Sequence, residues 1–243
     1  MSDLSPRQQE ILRAVIDEYI STAEPVGSEK IVEKYNLDVS PATVRNEMVD
    51  LTELAYLKQP HTSAGRIPTP MALKFYIGSL MKETQLSVRD EVSIKEELWD
   101  RRFEFDRLMR LVARKLAEQT GSLAVAINED GDVYAAGAAS ILDMPEFYDI
   151  DLTKTILTML DGEDLLATIL ARAVGEDSVH VLLGDELGME YLEPCGFVFA
   201  HFGAGKKHSG SIGIIGPARM RYARVIPTVR YFSDLLGEMS GSW

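Results

Sequence analysis

Ser40-Pro41 dictates where a helix begins, and the thirty or so residues after it leave few folds open. Serine is a strong N-cap, and proline suits the first helical position because it has no N–H to leave unpaired. In SPATVRNEMVDLTELAYLKQPHTSAGRIPTP, Ser40 to Pro70, the residues Val44, Met48, Leu51 and Ala55 recur at helical spacing and commit one face to a core. Ala42, Arg45, Asn46, Val49 and Asp50 fall on the opposite face. Tyr56-Leu57-Lys58-Gln59 and Gly65-Arg66-Ile67-Pro68 then read as two short strands around a tight polar turn that holds His61 and Ser63. A packing module without a ligand could be built the same way, but a turn this polar and basic does not form a core. The pattern predicts a recognition helix followed by a wing.

The residues before Ser40 complete such a unit. Ser5-Pro6-Arg7-Gln8 is a capping box that opens a helix with Ile11, Leu12, Val15, Ile16 and Tyr19 on one face, ending near Ser21–Ala23. After the turn Glu24-Pro25-Val26-Gly27, Ser28 is expected to cap a short second helix carrying Ile31, Val32 and Tyr35. Helix, short helix, turn and longer helix is the helix-turn-helix order. Thr69-Pro70 starts a fourth helix through Leu73, Phe75, Tyr76, Ile77 and Leu80, which closes a first domain at residues 1–82. The candidate DNA-contacting set is Ser40, Thr43, Arg45 and Asn46 on the helix, with Lys58, His61, Ser63, Gly65 and Arg66 in the wing. Thr43, Arg45 and Asn46 suit base edges in the major groove; Lys58 and Arg66 suit phosphates or the minor groove.

Residues 83–106 are charged with sparse apolar positions, and read as a partly helical connector. A strongly amphipathic helix follows from Phe105, with Leu108, Met109, Leu111, Val112 and Leu116, and stops at Thr120-Gly121. The period then changes. Strands are expected at Leu123–Ile127, Val133–Ala139, Val179–Leu183, Phe197–Phe202 and Ser211–Ile215, and helices at Asp151–Leu160, Glu163–Ala173 and Tyr222–Leu236. The fold class is therefore α+β: a winged helix-turn-helix, then a domain over residues 107–243 built on a mainly antiparallel sheet flanked by helices.

Charge is distributed unevenly. The chain carries a formal net charge of -13, which excludes a general nucleic-acid coat. Residues 1–82 hold 9 Lys and Arg against 11 Asp and Glu, and between Ser40 and Lys82 the balance is 5 basic to 3 acidic, so most of the acid lies in the second domain. The single cysteine, Cys195, excludes an internal disulfide and fits a reducing cytoplasm. No apolar run reaches the roughly 18 residues of a membrane span, and MSDLSPRQQE lacks a signal peptide's apolar core.

Catalytic chemistry finds little support. His61, His180, His201 and His208 are not spaced with Cys or carboxylates as metal ligands would be, and no nucleophile has a base beside it; neither an enzyme nor a cofactor is implied. Gly203-Ala204-Gly205-Lys206-Lys207 lacks the spacing and Ser/Thr of a P-loop and reads as a hairpin turn. Arg219, Arg221 and Arg224, with Tyr222, crowd the start of the last helix, where the helix dipole disfavours cations. Either carboxylates of the acidic half compensate them in an ion-pair cluster, or an anionic ligand or partner does.

Taken together, LSPRQQEILRAVIDEYISTAEPVGS, VSPATVRNEMVDLTELAYLKQPHTSAGRIPT, EQTGSLAVAI, ILDMPEF and SIGIIGPARMRYARVIP resemble the heat-inducible transcription repressor HrcA family, from Leu4 to Pro227. The resemblance implies a winged-helix domain followed by a GAF-like domain, and repression of chaperone genes at an inverted-repeat operator in double-stranded DNA. It also implies that the chaperonin GroEL keeps the repressor competent, and that the repressor works as a homodimer in the cytoplasm. Family members carry a dimerising segment inserted in the GAF-like part; here the long helix runs to the PEF motif with barely a strand pair between them. A GAF-like domain that binds a small anionic metabolite is the alternative reading.

Overall fold

Hydrogen bonds that close within a few residues of each helix end set the first unit, Met1–Lys82, in order. The computed structural model describes residues 4–172, 177–205 and 208–240. Helix α1 spans Pro6–Thr22; the Ser5 hydroxyl accepts from the Gln8 N–H at 3.2 Å, and the Ser5 N–H donates to Gln8 Oε1 at 3.0 Å. Helix α2, Ser28–Tyr35, takes Gly27 as its N-cap with no side-chain bond, so Ser28 is the first helical residue and not the expected cap. Helix α3, Pro41–Glu53, is capped by Ser40, whose Oγ accepts from the Thr43 N–H at 3.2 Å. It stops short of Ala55, which is exposed with φ 60°, so the core face of α3 is Val44, Met48 and Leu51 alone. Strands β1 (Leu57–Lys58) and β2 (Ile67–Pro68) pair antiparallel, and a bridge between Val26 and Arg66 adds a third edge. Helix α4 covers Pro70–Phe75 only; the predicted continuation through Leu80 is a π turn, Tyr76–Leu80.

One carboxylate is buried in this unit. Glu18 of α1 is 1% exposed, with Oε1 2.9 Å from Lys30 Nζ and Oε2 2.5 Å from Lys34 Nζ, both on α2. Burial alone would raise its pKa, but the two ammonium groups outweigh burial and hold it below the ordinary 4.5. A depressed folded-state pKa contributes stability that is present above the unfolded value and is lost as pH falls through the folded one. Glu18→Gln is expected to remove about 1–2 kcal/mol at neutral pH, since both lysines can turn to water. It should also flatten the acid limb of stability below pH 4.5, which denaturant melts from pH 7 to 3 would measure.

The second unit, Glu83–Trp243, begins with α5 (Val88–Asp100) and α6 (Phe105–Thr120). The segment read as a connector thus contains a complete helix, and Ile94 and Leu98 of α5 are buried. Gly121 closes α6 in the left-handed conformation. After it come β3 (Leu123–Asn128), β4 (Val133–Ala136), α7 (Ala138–Ile141), a 3-10 turn at Pro145–Tyr148, α8 (Ile150–Asp161) and α9 (Glu163–Leu170). Strands β5 (His180–Leu183), β6 (Cys195–Phe202) and β7 (Gly210–Pro217) and helix α10 (Tyr222–Met239) complete it. Ala173 of the predicted helix, and Lys206 and Lys207 of the predicted hairpin turn, lie outside the described residues.

The sheet has the order β4-β3-β7-β6-β5, antiparallel throughout. Its two faces follow from alternation. Leu123, Val125, Cys195, Phe197, Phe199 and Ile215 join a core with α7, α8 and α9, while α6 and α10 cover the other face. Gly213 lets the inner face close: a Cβ there would lie 2.5 Å from the Phe197 ring and 2.8 Å from the Val198 carbonyl. Cys195 opens β6 fully buried, and burial pushes its thiol up to about 12.

Helix α10 contains Pro227, which has no N–H to give the carbonyl of Ala223 one turn back. The Thr84 N–H takes that carbonyl at 2.7 Å. Next to it, the Glu83 carboxylate receives both terminal nitrogens of Arg230, at 2.8 and 2.9 Å.

Candidate nucleic-acid interface

The outward face of α3 is set by its inward one. With Val44, Met48 and Leu51 buried, Ala42, Arg45, Asn46, Val49 and Asp50 are exposed. Ser40 Oγ and Thr43 Oγ1 lie 3.0 Å apart, so both hydroxyls belong to the N-cap, with Thr43 half-buried. Arg45 and Asn46 extend from the first two turns at an accessible helix N-terminus. Glu47, which would place a carboxylate in the same stretch, is turned inward and takes Arg7 of α1 at 2.6 Å. That pair was not legible in the sequence, because its halves lie 40 residues apart.

The wing is held as tightly as a turn of this length allows. Gln59 Nε2 donates to the carbonyls of Thr62 (3.0 Å) and Ala64 (2.9 Å), closing the tip from inside. His61 Nδ1 and Ser63 Oγ are 3.2 Å apart on the exposed outer side, and Lys58 is exposed on β1. Gly65 passes against Val26, where a Cβ would fall 2.4 Å from the Val26 carbonyl oxygen. Arg66 exchanges two backbone hydrogen bonds with Val26, each 2.9 Å, and its Nε donates to Thr52 Oγ1 at 3.1 Å. Thr52 in turn donates to the Met48 carbonyl at 2.7 Å. Gly65 and Arg66 therefore have structural work: they lock the wing to the turn before α2 and to α3. Gln59 and Thr52 escaped sequence reasoning, which looked for charge and not for amides closing on main-chain carbonyls.

Between the wing and α3 runs a groove of about 560 Å³, lined by Arg45, Val49, Gln59, Ser63 and Arg66 and by the start of α2. Two guanidiniums, side-chain amide and hydroxyl groups and a helix N-terminus suit a polyanion that carries hydrogen-bonding edges.

The arginines at the other end of the chain are not brought together. Helix α10 starts at Tyr222, so Arg219 precedes it, Arg221 is its N-cap, and Arg224 alone lies in the first turn. Arg219 is bidentate to Glu146 of the Pro145–Tyr148 turn, at 2.6 and 3.0 Å, with both side chains largely buried. Arg224 Nη2 reaches Gln119 Oε1 of α6 at 3.1 Å. Tyr222 is fully buried and its hydroxyl donates to the Ala218 carbonyl at 2.5 Å; burial holds that phenol far above its ordinary value. A carboxylate thus compensates Arg219. Among the described residues, no three His, Cys, Asp or Glu side chains are grouped to hold a metal, and no helix is long and apolar enough to cross a membrane.

Comparison with known proteins places both units. Residues 3–77 match the family model described as winged helix-turn-helix transcription repressor, HrcA DNA-binding, and residues 73–226 match HrcA protein C terminal domain. The heat-inducible transcription repressor HrcA of Symbiobacterium thermophilum is 28% identical over 337 residues, covering 98% of this chain and 99% of the relative. That of Syntrophobacter fumaroxidans is 30% identical over 341, with 98% of each covered. An alignment of 337 positions against a chain of 243 residues leaves at least 94 positions with no counterpart here. Among solved structures, a crystal structure described as a hypothetical protein at 2.2 Å resolution superposes with a TM-score of 0.81 at 20% identity, covering 99% of both chains. It shares the fold.

Proposed function

The chain belongs to the HrcA family and is a heat-shock transcriptional repressor with a winged-helix DNA-binding domain, and from that premise we propose that it acts as a cytoplasmic homodimer at an inverted-repeat operator. In this reading α3 enters the major groove with Arg45 and Asn46 on base edges, Ser40 and Thr43 hold the helix N-terminus against the backbone, and Lys58, His61 and Ser63 follow the phosphates. Gly65 and Arg66 keep the wing in register with α3. The observation that carries it is the groove between wing and recognition helix, with Arg45 on one wall and Arg66 on the other. Chaperonin, which the family resemblance implies as a partner, acts by keeping the folded repressor in supply. The protein works by binding and not by catalysis.

Fluorescence anisotropy with an inverted-repeat duplex and a scrambled one, with and without chaperonin, tests the reading; equal affinity for both duplexes in both conditions would end it. Lys58→Ala separates phosphate contact from base readout. It is expected to weaken binding to both duplexes alike, and to lower the slope of log K against log salt by about 1. A loss confined to the operator duplex would assign Lys58 to base contact instead.

A further inference from the structure

The outward face of α3 has an apolar residue near its centre. With Arg45 taken as zero and about 100° added per residue, Val49 falls at about 40° and Asn46 at about 100°. Val49 thus stands between the two side chains that suit base edges, about 6 Å further along the helix axis than Arg45. Val49 and Arg45 both line the groove between α3 and the wing. Three large apolar side chains line that groove: Val26 is 1% exposed and Met48 4%, so both belong to the core, whereas Val49 is 39% exposed. A docking that brings Arg45 and Asn46 to base edges therefore brings Val49 to one as well.

A valine side chain neither gives nor takes a hydrogen bond. In the major groove, guanine, adenine and cytosine present donors and acceptors, and the apolar group on offer is the 5-methyl of thymine. Set against a donor or acceptor, an apolar side chain displaces its water and returns no bond, which is penalised. Set against the methyl, it takes apolar surface out of water on both sides. We propose that Val49 reads the methyl group of one thymine in each half-site of the operator. That thymine lies within about two base pairs of the base that Arg45 contacts, because about 6 Å along the helix is under two base steps of roughly 3.4 Å. The proposal rests on the operator reading above and adds to it the chemistry of one base. Ala42, exposed two turns earlier on the same side of α3, ends at its β-carbon and reaches less far from the helix.

Fluorescence anisotropy of the full chain with deoxyuridine in place of thymidine tests this, because the exchange removes the methyl and leaves the hydrogen-bonding edge as it was. Each thymine of the inverted-repeat duplex is exchanged in turn, in both half-sites together. Wild type is expected to lose about threefold to tenfold in affinity for each half-site at one position, and little elsewhere. Val49→Ser should bind the unmodified operator more weakly by the same factor and be indifferent to the exchange at that position, while Val49→Ile should keep the sensitivity. Val49 is exposed, so both variants should melt close to wild type. A wild type indifferent to every exchange overturns the proposal. So does a Val49→Ser variant that still feels the exchange wild type feels, which would hand the methyl to another side chain such as Ala42. The unmodified operator and scrambled duplexes test the underlying reading separately. No preference between them ends base recognition and this proposal with it, whereas a preference that survives every exchange in wild type ends the proposal alone.

Discussion

Replacing Arg45 by alanine is expected to erase operator discrimination while leaving the fold intact. The side chain is exposed on the outward face of α3 and forms one wall of the groove beside the wing. The core of α3 is carried by Val44, Met48 and Leu51, none of which Arg45 replaces. A good bidentate contact from arginine to a base edge is worth about 1–3 kcal/mol of discrimination, or roughly five- to 150-fold in the ratio of operator to scrambled affinity. The ratio should fall by that amount and the melting temperature should stay put. Asn46→Ala serves as the companion: if it alone collapses the ratio, the reading of the groove shifts by one residue, about a quarter of a turn around the helix. An unchanged ratio for both variants would remove α3 from base recognition.

Arg219→Ala should produce the largest loss of stability. It removes both hydrogen bonds to Glu146 and leaves that carboxylate largely buried without its partner, 73 residues away in sequence. Breaking a buried pair costs several kcal/mol because the surviving charge is uncompensated. We expect about 3 kcal/mol, which in a unit of this size lowers its melting temperature by roughly 6–12 °C. Arg219→Lys should recover part of this, through charge without the two-pronged geometry. The paired change Arg219→Met with Glu146→Leu should recover most of it, because no charge is then left behind. Differential scanning calorimetry of the full chain measures all three. A melting curve for Arg219→Ala within 2 °C or so of wild type would mean that the pair is solvated and contributes little.

The sequence was most readable where structure is decided locally. The caps at Ser5, Ser40 and Thr69 and the left-handed Gly121 gave the ends of α1, α3, α4's start and α6, because each is a hydrogen bond or a dihedral set within four residues. The sheet strands emerged within a few residues of their observed bounds, but which face each side chain takes did not, because β3 and β6 are buried on both faces. What escaped depends on distant partners. Glu18, Glu47 and Glu146 look like ordinary surface acids until α2, α1 and the end of β7 deliver Lys30 and Lys34, Arg7 and Arg219 to them. Helix α5 was diluted into a connector because its apolar residues serve two faces and neither alone makes a strong periodic signal. In the candidate interface, Arg45 and Asn46 could be read from helical spacing. The tethers through Gln59, Thr52 and Val26 could not, since a polar side chain that folds back on main chain leaves no periodic trace.

Pro227 reaches beyond its own helix. By withdrawing an N–H it leaves the Ala223 carbonyl in need of a donor, and the chain emerging from Lys82 provides one through Thr84. A single amide hydrogen, on a residue with no helix of its own, is therefore sheltered by the state of α10. Its exchange with deuterium makes Thr84 a reporter: as the protein warms, loss of that protection dates the moment when the last helix lets go of the segment leading out of the DNA-binding unit.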